Sequence, residues 1–287
     1  MNNTYQTPRL LQHKGLTIPG FLYGTAWKAD QTEQLTRLAL ATGFLGIDTA
    51  NQRRHYFEAG VGSALRQALA EDRLQRSDLF LQTKFTYVSS QDHRPPYDAN
   101  ADYGTQVQQS FKSSLEHLGT SYIDSYLLHG PATHLELSDD DRQVWRTMES
   151  LQKSGAIRLL GISNINLGQL QSLFEEAEIK PAFVQNRCYA RAKWDLSIRE
   201  FCRNNDIIYQ GFSLLTANSE ALKHPDLARI SIRHHCSIAQ LVFRFAIQTG
   251  MMPITGTCNA DHMRADLAIY DLELSDSDML TIENITG

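Results

Sequence analysis

Residues 122–164 read YIDSYLLHGPATHLELSDDDRQVWRTMESLQKSGAIRLLGISN. The two ends of this stretch, YIDSYLLH and IRLLGIS, are short apolar runs of strand length, while Trp145, Met148 and Leu151 between them recur at helical spacing. Gly155 closes the helix, and Lys153 sits in its last turn, where the helix dipole favours a cation. The reading is one strand–helix–strand unit. Further strand candidates begin near Gly20 (GFLYGTA), Leu45 (LGIDTA), Leu79 (LFLQTKF), Ala182 (AFVQNRC), Ile207 (IIYQGFS) and Met251 (MMPITG). Helical patterns alternate with them, such as Leu35, Leu38, Ala39 and Thr42 before Gly43, or Val107, Phe111, Leu115 and Leu118 before Gly119. Eight strands alternating with helices, with no Pro/Gly/Ser-rich linker, predict a single-domain α/β protein, a (β/α)8 TIM barrel over residues 1–287. A doubly wound sheet would want a GxGxxG turn. The nearest match, GVGSAL from Gly60, lacks the third glycine and lies in a helical pattern, so it reads as close helix packing.

Composition narrows the function classes. With 42% apolar and 21% charged residues among 287, and only 8 prolines, the chain is globular rather than disordered or collagen-like. Its 27 Lys plus Arg against 32 Asp plus Glu give a net charge of −5 without blocks of like charge, which argues against a nucleic-acid partner. Neither a cationic leader with an apolar run nor a membrane-length apolar stretch is present, so the expected address is cytoplasmic, with no membrane partner. Cys188, Cys202, Cys236 and Cys258 form no CxxC pair and read as reduced thiols. His234 and His235 are adjacent, so on a helix they diverge, and no metal is expected.

In a barrel of this class the working residues lie at the carboxyl ends of the strands. Asp48, Lys84, His129, Ser163 with Asn164, and Gln185 terminate or follow five successive apolar runs. Singly, a polar strand end caps a helix or meets water; together these groups converge on one cleft. An acid, a lysine and a histidine without a metal-ligand set point to proton transfer to an oxygen rather than metal-assisted hydrolysis. Tyr56, in the loop IDTANQRRHYFEAGVG, is the candidate proton donor. A lysine cation at about 4 Å and an effective dielectric near 20 contributes about 4 kcal/mol, enough to bring a phenol from about 10 to near 7. Asp48 would hold that lysine charged and oriented.

The motifs GFLGIDTA around Asp48, TKF at Lys84, LLHGP at His129, KSGAIRLLGISN ending at Asn164, VQN around Gln185 and LELSDSDM near the end resemble, in order, the signatures of the aldo-keto reductases. The resemblance implies an oxidoreductase that binds NADPH, with NADH as the alternative, and transfers hydride reversibly between the nicotinamide and a small-molecule carbonyl. By the same resemblance Tyr56 would be the general acid, Asp48 and Lys84 would tune it, and His129 would orient and polarise the substrate. Ser163, Asn164 and Gln185 would bond the nicotinamide amide, and Phe212 would stack on its ring. Ser213 and Leu215 would meet the pyrophosphate, and Gly24 and Thr25 would complete the nucleotide pocket. Thr255, Gly256, Thr257, His262 and Asp266 would lie along the adenosine end. A monomer is expected.

The sequence departs from that pattern in three places. The loop after Asp48 is about two residues longer than usual, so that without a gap Arg53 falls where the tyrosine belongs; Tyr56 is the loop's only phenol, and His55 is the alternative acid. Ile254, Cys258 and His262 stand where Lys and Arg often grip a 2′-phosphate. The chain stops at Gly287 without a long tail, which shifts specificity to the loop TYVSSQDHRPPYDANADYG after Lys84. Trp27 and Tyr87 are candidates for substrate contact, with Tyr97 and Trp194 as further aromatic wall. His93 and Arg94 either meet an anionic group or face water. The competing function class is a nucleotide-binding, regulatory or sensing barrel with little turnover.

Overall fold

The computed structural model describes residues 9–71 and 74–286. It opens with an antiparallel hairpin of β1 (Leu10–His13) and β2 (Leu16–Pro19), turning through Lys14 and Gly15, both at positive φ. Periodicity gives no strand before Gly20, because four residues are too few to register an alternation.

Eight strands follow in a closed barrel: β3 (Leu22–Gly24), β4 (Gly46–Asp48), β5 (Phe80–Phe85), β6 (Ile123–Leu128), β7 (Ile157–Ser163), β8 (Phe183–Arg187), β9 (Ile208–Phe212) and β10 (Met252–Thr255). Their order is β10-β3-β4-β5-β6-β7-β8-β9, each lying within a stretch that the sequence marks as a strand, and helices lie between them. This is the (β/α)8 barrel.

Residues Tyr23–Gln185 make one compact unit and the remaining described residues a second. In the first, parallel register sets Gly24 beside Asp48, Asp48 beside Gln82, Lys84 beside Leu127 and Ser163 beside Gln185. Side chains alternate across a strand, so Gln82 and Lys84 share one face of β5 and Thr83 takes the other. The helices Thr32–Thr42 and Tyr103–Leu118 end at Gly43 and Gly119, which adopt φ of 113° and 66°. A Cβ on Gly62 would collide with the His117 carbonyl oxygen, so GVGSAL serves the close crossing of helices Glu58–Ala70 and Tyr103–Leu118. Helix Asp139–Lys153 begins at a capping box in which Ser138 and Asp141 bond each other's backbone N–H, and it buries Val144, Trp145 and Met148. At the start of β6, Asp124 accepts from Arg76 at 2.7 Å and from Leu81 N–H at 3.0 Å.

In the second unit, helix Ile238–Gln248 buries every side chain from Leu241 to Ile247. Phe21 packs on Phe243 with ring centroids 5.0 Å apart, and Trp194 packs on Phe245 at 5.3 Å while its indole N–H donates to the Ile282 carbonyl. Among the described residues no helix is long and apolar enough to cross a membrane.

Candidate active site

Asp48 closes β4, Lys84 is the penultimate residue of β5, and His129 follows β6 directly. Lys84 is fully buried. Its ammonium donates to Asp48 Oδ1 at 2.7 Å and to the Thr49 carbonyl at 2.8 Å. The same carboxylate oxygen accepts from Gln82 Nε2 at 2.8 Å and from Gln185 Nε2 at 3.0 Å. A buried charge is tolerable only when paired and hydrogen-bonded, and here both partners are. Burial lowers the Lys84 pKa, and Asp48, with a smaller contribution from Glu58, opposes that shift.

Tyr56 lies beside this pair. The Lys84 ammonium is 5.4 Å from its ring centroid, and the His129 imidazole meets the ring edge-on at 5.8 Å and 70°. Burial first, and the Asp48 carboxylate second, raise the phenol above its ordinary value. The lysine alone therefore does not bring it to neutrality: Asp48 balances the ammonium charge, desolvation prevails, and the phenol rests protonated. His129 is held through Nδ1, 2.7 Å from Thr86 Oγ1. Burial, then Lys84 and His55, bring its pKa down to about 3, so the imidazole is neutral at ordinary pH.

Thr86 is in turn fixed by the Tyr97 hydroxyl, which donates to its carbonyl at 2.6 Å. Sequence reasoning missed Thr86, although two-residue alternation from Lys84 would have put it on the same face. It also missed Glu58, a buried carboxylate that accepts from Thr83 Oγ1 at 2.5 Å, Ser114 Oγ at 3.2 Å and His117 Nδ1 at 3.1 Å. Glu58 ties the end of the Tyr56 loop to the strand that carries Lys84.

His55 is engaged by Trp27. Its ring lies 3.9 Å from that of Trp27, whose backbone N–H donates to the His55 carbonyl at 2.7 Å. Burial and then Arg54 lower the His55 pKa. Trp27 is 75% exposed. The other aromatic candidates are buried: Tyr87 packs against Phe85 and Tyr103 and donates to Asp141 Oδ1 at 2.8 Å, so its ring and hydroxyl are already engaged. Tyr97 and Trp194 are buried as well. Arg94 pairs with Asp92 in its own loop.

Ser163 Oγ donates to the Gln185 carbonyl at 2.6 Å. Asn164, exposed and at φ 53°, donates to the His129 carbonyl at 2.7 Å, so it braces the residue after β6. Thr25 bonds the Asp48 carbonyl through both its N–H and its hydroxyl, each at 3.0 Å, beside Gly24.

In the second unit, Phe212 ends β9 half-exposed, followed by Ser213 at φ 55° and then by Leu215. Thr255 Oγ1 donates to Asp266 Oδ2 at 2.8 Å, and burial pushes the Asp266 carboxyl up to about 6. Gly256 is exposed, and Thr257 Oγ1 lies 3.5 Å from His262 Nδ1. Asn259 caps helix Ala260–Leu267 by accepting from Asp261 N–H at 2.7 Å and His262 N–H at 3.1 Å. Among the described residues, no group of three or more His, Cys, Asp or Glu side chains is placed to hold a metal ion.

The sequence model of the Aldo/keto reductase family matches residues 20–286. An uncharacterized oxidoreductase of Bacillus subtilis (strain 168), YtbE, is 30% identical over 98% of this chain and 93% of its own length. The glyoxal reductase of the same organism is 29% identical over 94% and 90%. Among solved structures, an aldo/keto reductase from Brucella melitensis superposes with a TM-score of 0.81 at 28% identity, covering 97% of this chain and 99% of that one. An aldo-keto reductase complexed with NADPH (AKR2E5) shares the fold at a TM-score of 0.83 and 22% identity, over 97% and 88%.

Proposed function

This chain belongs to the aldo/keto reductase family, and from that premise we propose that it reduces an aldehyde or ketone to the alcohol with NADPH, or alternatively NADH. The observation that carries the reading is the meeting of Tyr56, His129 and the buried Lys84–Asp48 pair at the ends of adjacent strands. When bound, the reduced nicotinamide supplies the hydride.

The residues fit such a group. Ser163 ends β7, Asn164 follows it and Gln185 lies within β8; their hydroxyl and amide functions are the chemistry a carboxamide needs. For the rest of the nucleotide the reading takes Phe212, Ser213, Leu215, Thr255, Gly256, Thr257, His262 and Asp266, together with Gly24 and Thr25.

Tyr56 gives its proton to the carbonyl oxygen, which its resting protonation permits. Lys84, held by Asp48, stabilises the phenolate left behind. In the tautomer of the neutral His129 that accepts from Thr86 at Nδ1, the ring proton is on Nε2 and donates to the same carbonyl oxygen. Oxidation of NADPH and then NADH, followed by absorbance against a panel of aldehydes and ketones, tests this. Turnover that Tyr56→Phe abolishes supports it.

The longer loop ahead of Tyr56 favours one other reading, a barrel that senses the nucleotide with little turnover. Saturable nucleotide binding with no reduction across the panel would select that reading.

A further inference from the structure

We propose that this site selects carbonyl compounds carrying a carboxylate, which Arg53 and Arg54 hold beside Trp27. The inference names the substrate class for the reduction proposed above and rests on that reading.

Residues 49–57, TANQRRHYF, contain two arginines and no acid, in a chain whose net charge is −5. Residues 25–29, TAWKA, meet this loop through the Trp27–His55 stack. The Arg53 guanidinium lies 4.0 Å over the Phe57 ring, and its Nη1 is 3.4 Å from the Tyr56 carbonyl, so it is fixed against the backbone of the proposed acid. Arg54 is exposed. Among the described residues neither arginine has a carboxylate within ion-pair distance, whereas Arg94 has Asp92 and Arg142 has Glu176. The carboxylate of the site, Asp48, is already matched by Lys84.

Arg53 and Arg54 are therefore cations without a carboxylate partner among the described residues, two to three residues from Tyr56. Guanidinium groups present a planar fork of donors that fits a carboxylate with two parallel hydrogen bonds. A carbonyl compound seated on the exposed face of Trp27 would find that fork two to three residues from Tyr56 in the chain.

The test is kcat/KM for straight-chain ω-oxo carboxylates of three to six carbons against their methyl esters, in the parent, Arg54→Ala and Arg53→Ala. The parent is expected to prefer the carboxylates by about tenfold, equivalent to about 1.4 kcal/mol. Arg54→Ala, at an exposed position, brings that preference towards parity, mainly through KM. Raising ionic strength from 0.01 M to 0.15 M, where the screening length shortens from about 30 Å to about 8 Å, lowers kcat/KM for the carboxylates and not for the esters. Esters reduced as well as the acids, or a preference that survives both substitutions, overturns the carboxylate selection and leaves the reductase reading standing. If the folded protein reduces neither series with either nucleotide, both fall.

Discussion

The Lys84 ammonium lies 2.7 Å from Asp48 Oδ1, with both side chains closed off from water. Three donors converge on that one carboxylate oxygen, from Lys84, Gln82 and Gln185. The pair is thus structural before it is catalytic: it is the arrangement that lets a lysine occupy the end of a barrel strand at all. Removing one partner leaves a buried uncompensated charge, which costs about 3–5 kcal/mol. Asp48→Asn is accordingly expected to lower the urea midpoint by that equivalent and to cut carbonyl reduction sharply. An unchanged midpoint would mean that Lys84 had found another partner or been reached by water.

Thr86 touches no proposed substrate atom, yet it is 2.7 Å from His129 Nδ1. Thr86→Val keeps the side-chain shape and removes the hydroxyl, leaving a ring nitrogen unpaired at a cost of about 1–3 kcal/mol. With the imidazole free to take either tautomer, kcat is expected to fall about tenfold or more, with little change in nucleotide affinity. Equal loss of kcat and of nucleotide binding would show general disruption instead.

Asp266 offers a pH test. Burial raises its carboxyl from the ordinary value of 3.8 to about 6. The folded state then holds a proton that the unfolded chain has released, so stability contributed below about pH 4 is lost as pH rises through about 6. At 1.36 kcal/mol per pKa unit this amounts to about 3 kcal/mol. Urea denaturation from pH 4 to 7 is expected to show a fall that Asp266→Asn largely removes; parallel curves for parent and variant would contradict the assignment.

Two glycines in helices behave differently. A methyl group on Gly62 would collide with the His117 carbonyl oxygen, a backbone atom that cannot swing aside. Gly62→Ala is expected to destabilise by about 1–3 kcal/mol through overpacking. At Gly168 the nearest atom is Asn166 Oδ1 at 3.5 Å, ordinary contact. Gly168→Ala is expected to stabilise helix Leu167–Glu176 by up to about 1 kcal/mol. Melting temperatures of the two variants should move in opposite directions.

The eight barrel strands were legible because each is an apolar run bounded by turn residues, and Asp48, Lys84 and His129 because each ends such a run. The loop from Asp48 to Glu58 was not, since spacing alone offers Arg53, His55 or Tyr56 to the same place. In the structure His55 is taken up by Trp27, and Tyr56 occupies the position beside Lys84 and His129. Glu58 is a tertiary matter, with its partners distant in sequence and no local pattern to mark it, whereas Thr86 continues the alternation from Lys84 and only its partner, His129, is distant. Tyr87 reads as a candidate for substrate contact until Asp141, 54 positions on, takes up its hydroxyl.

The measurement closest to the central claim is NADPH-dependent reduction of one accepted carbonyl by the parent, Tyr56→Phe and His55→Phe, each with a parallel fluorescence titration of nucleotide. General acid catalysis contributes about 10² to 10⁴ in rate. The geometry predicts that Tyr56→Phe loses that much in kcat while still binding nucleotide, and that His55→Phe keeps most of the rate. If Tyr56→Phe retains full turnover, or His55→Phe alone loses it, the phenol beside Lys84 is not the acid and the proposed mechanism is wrong.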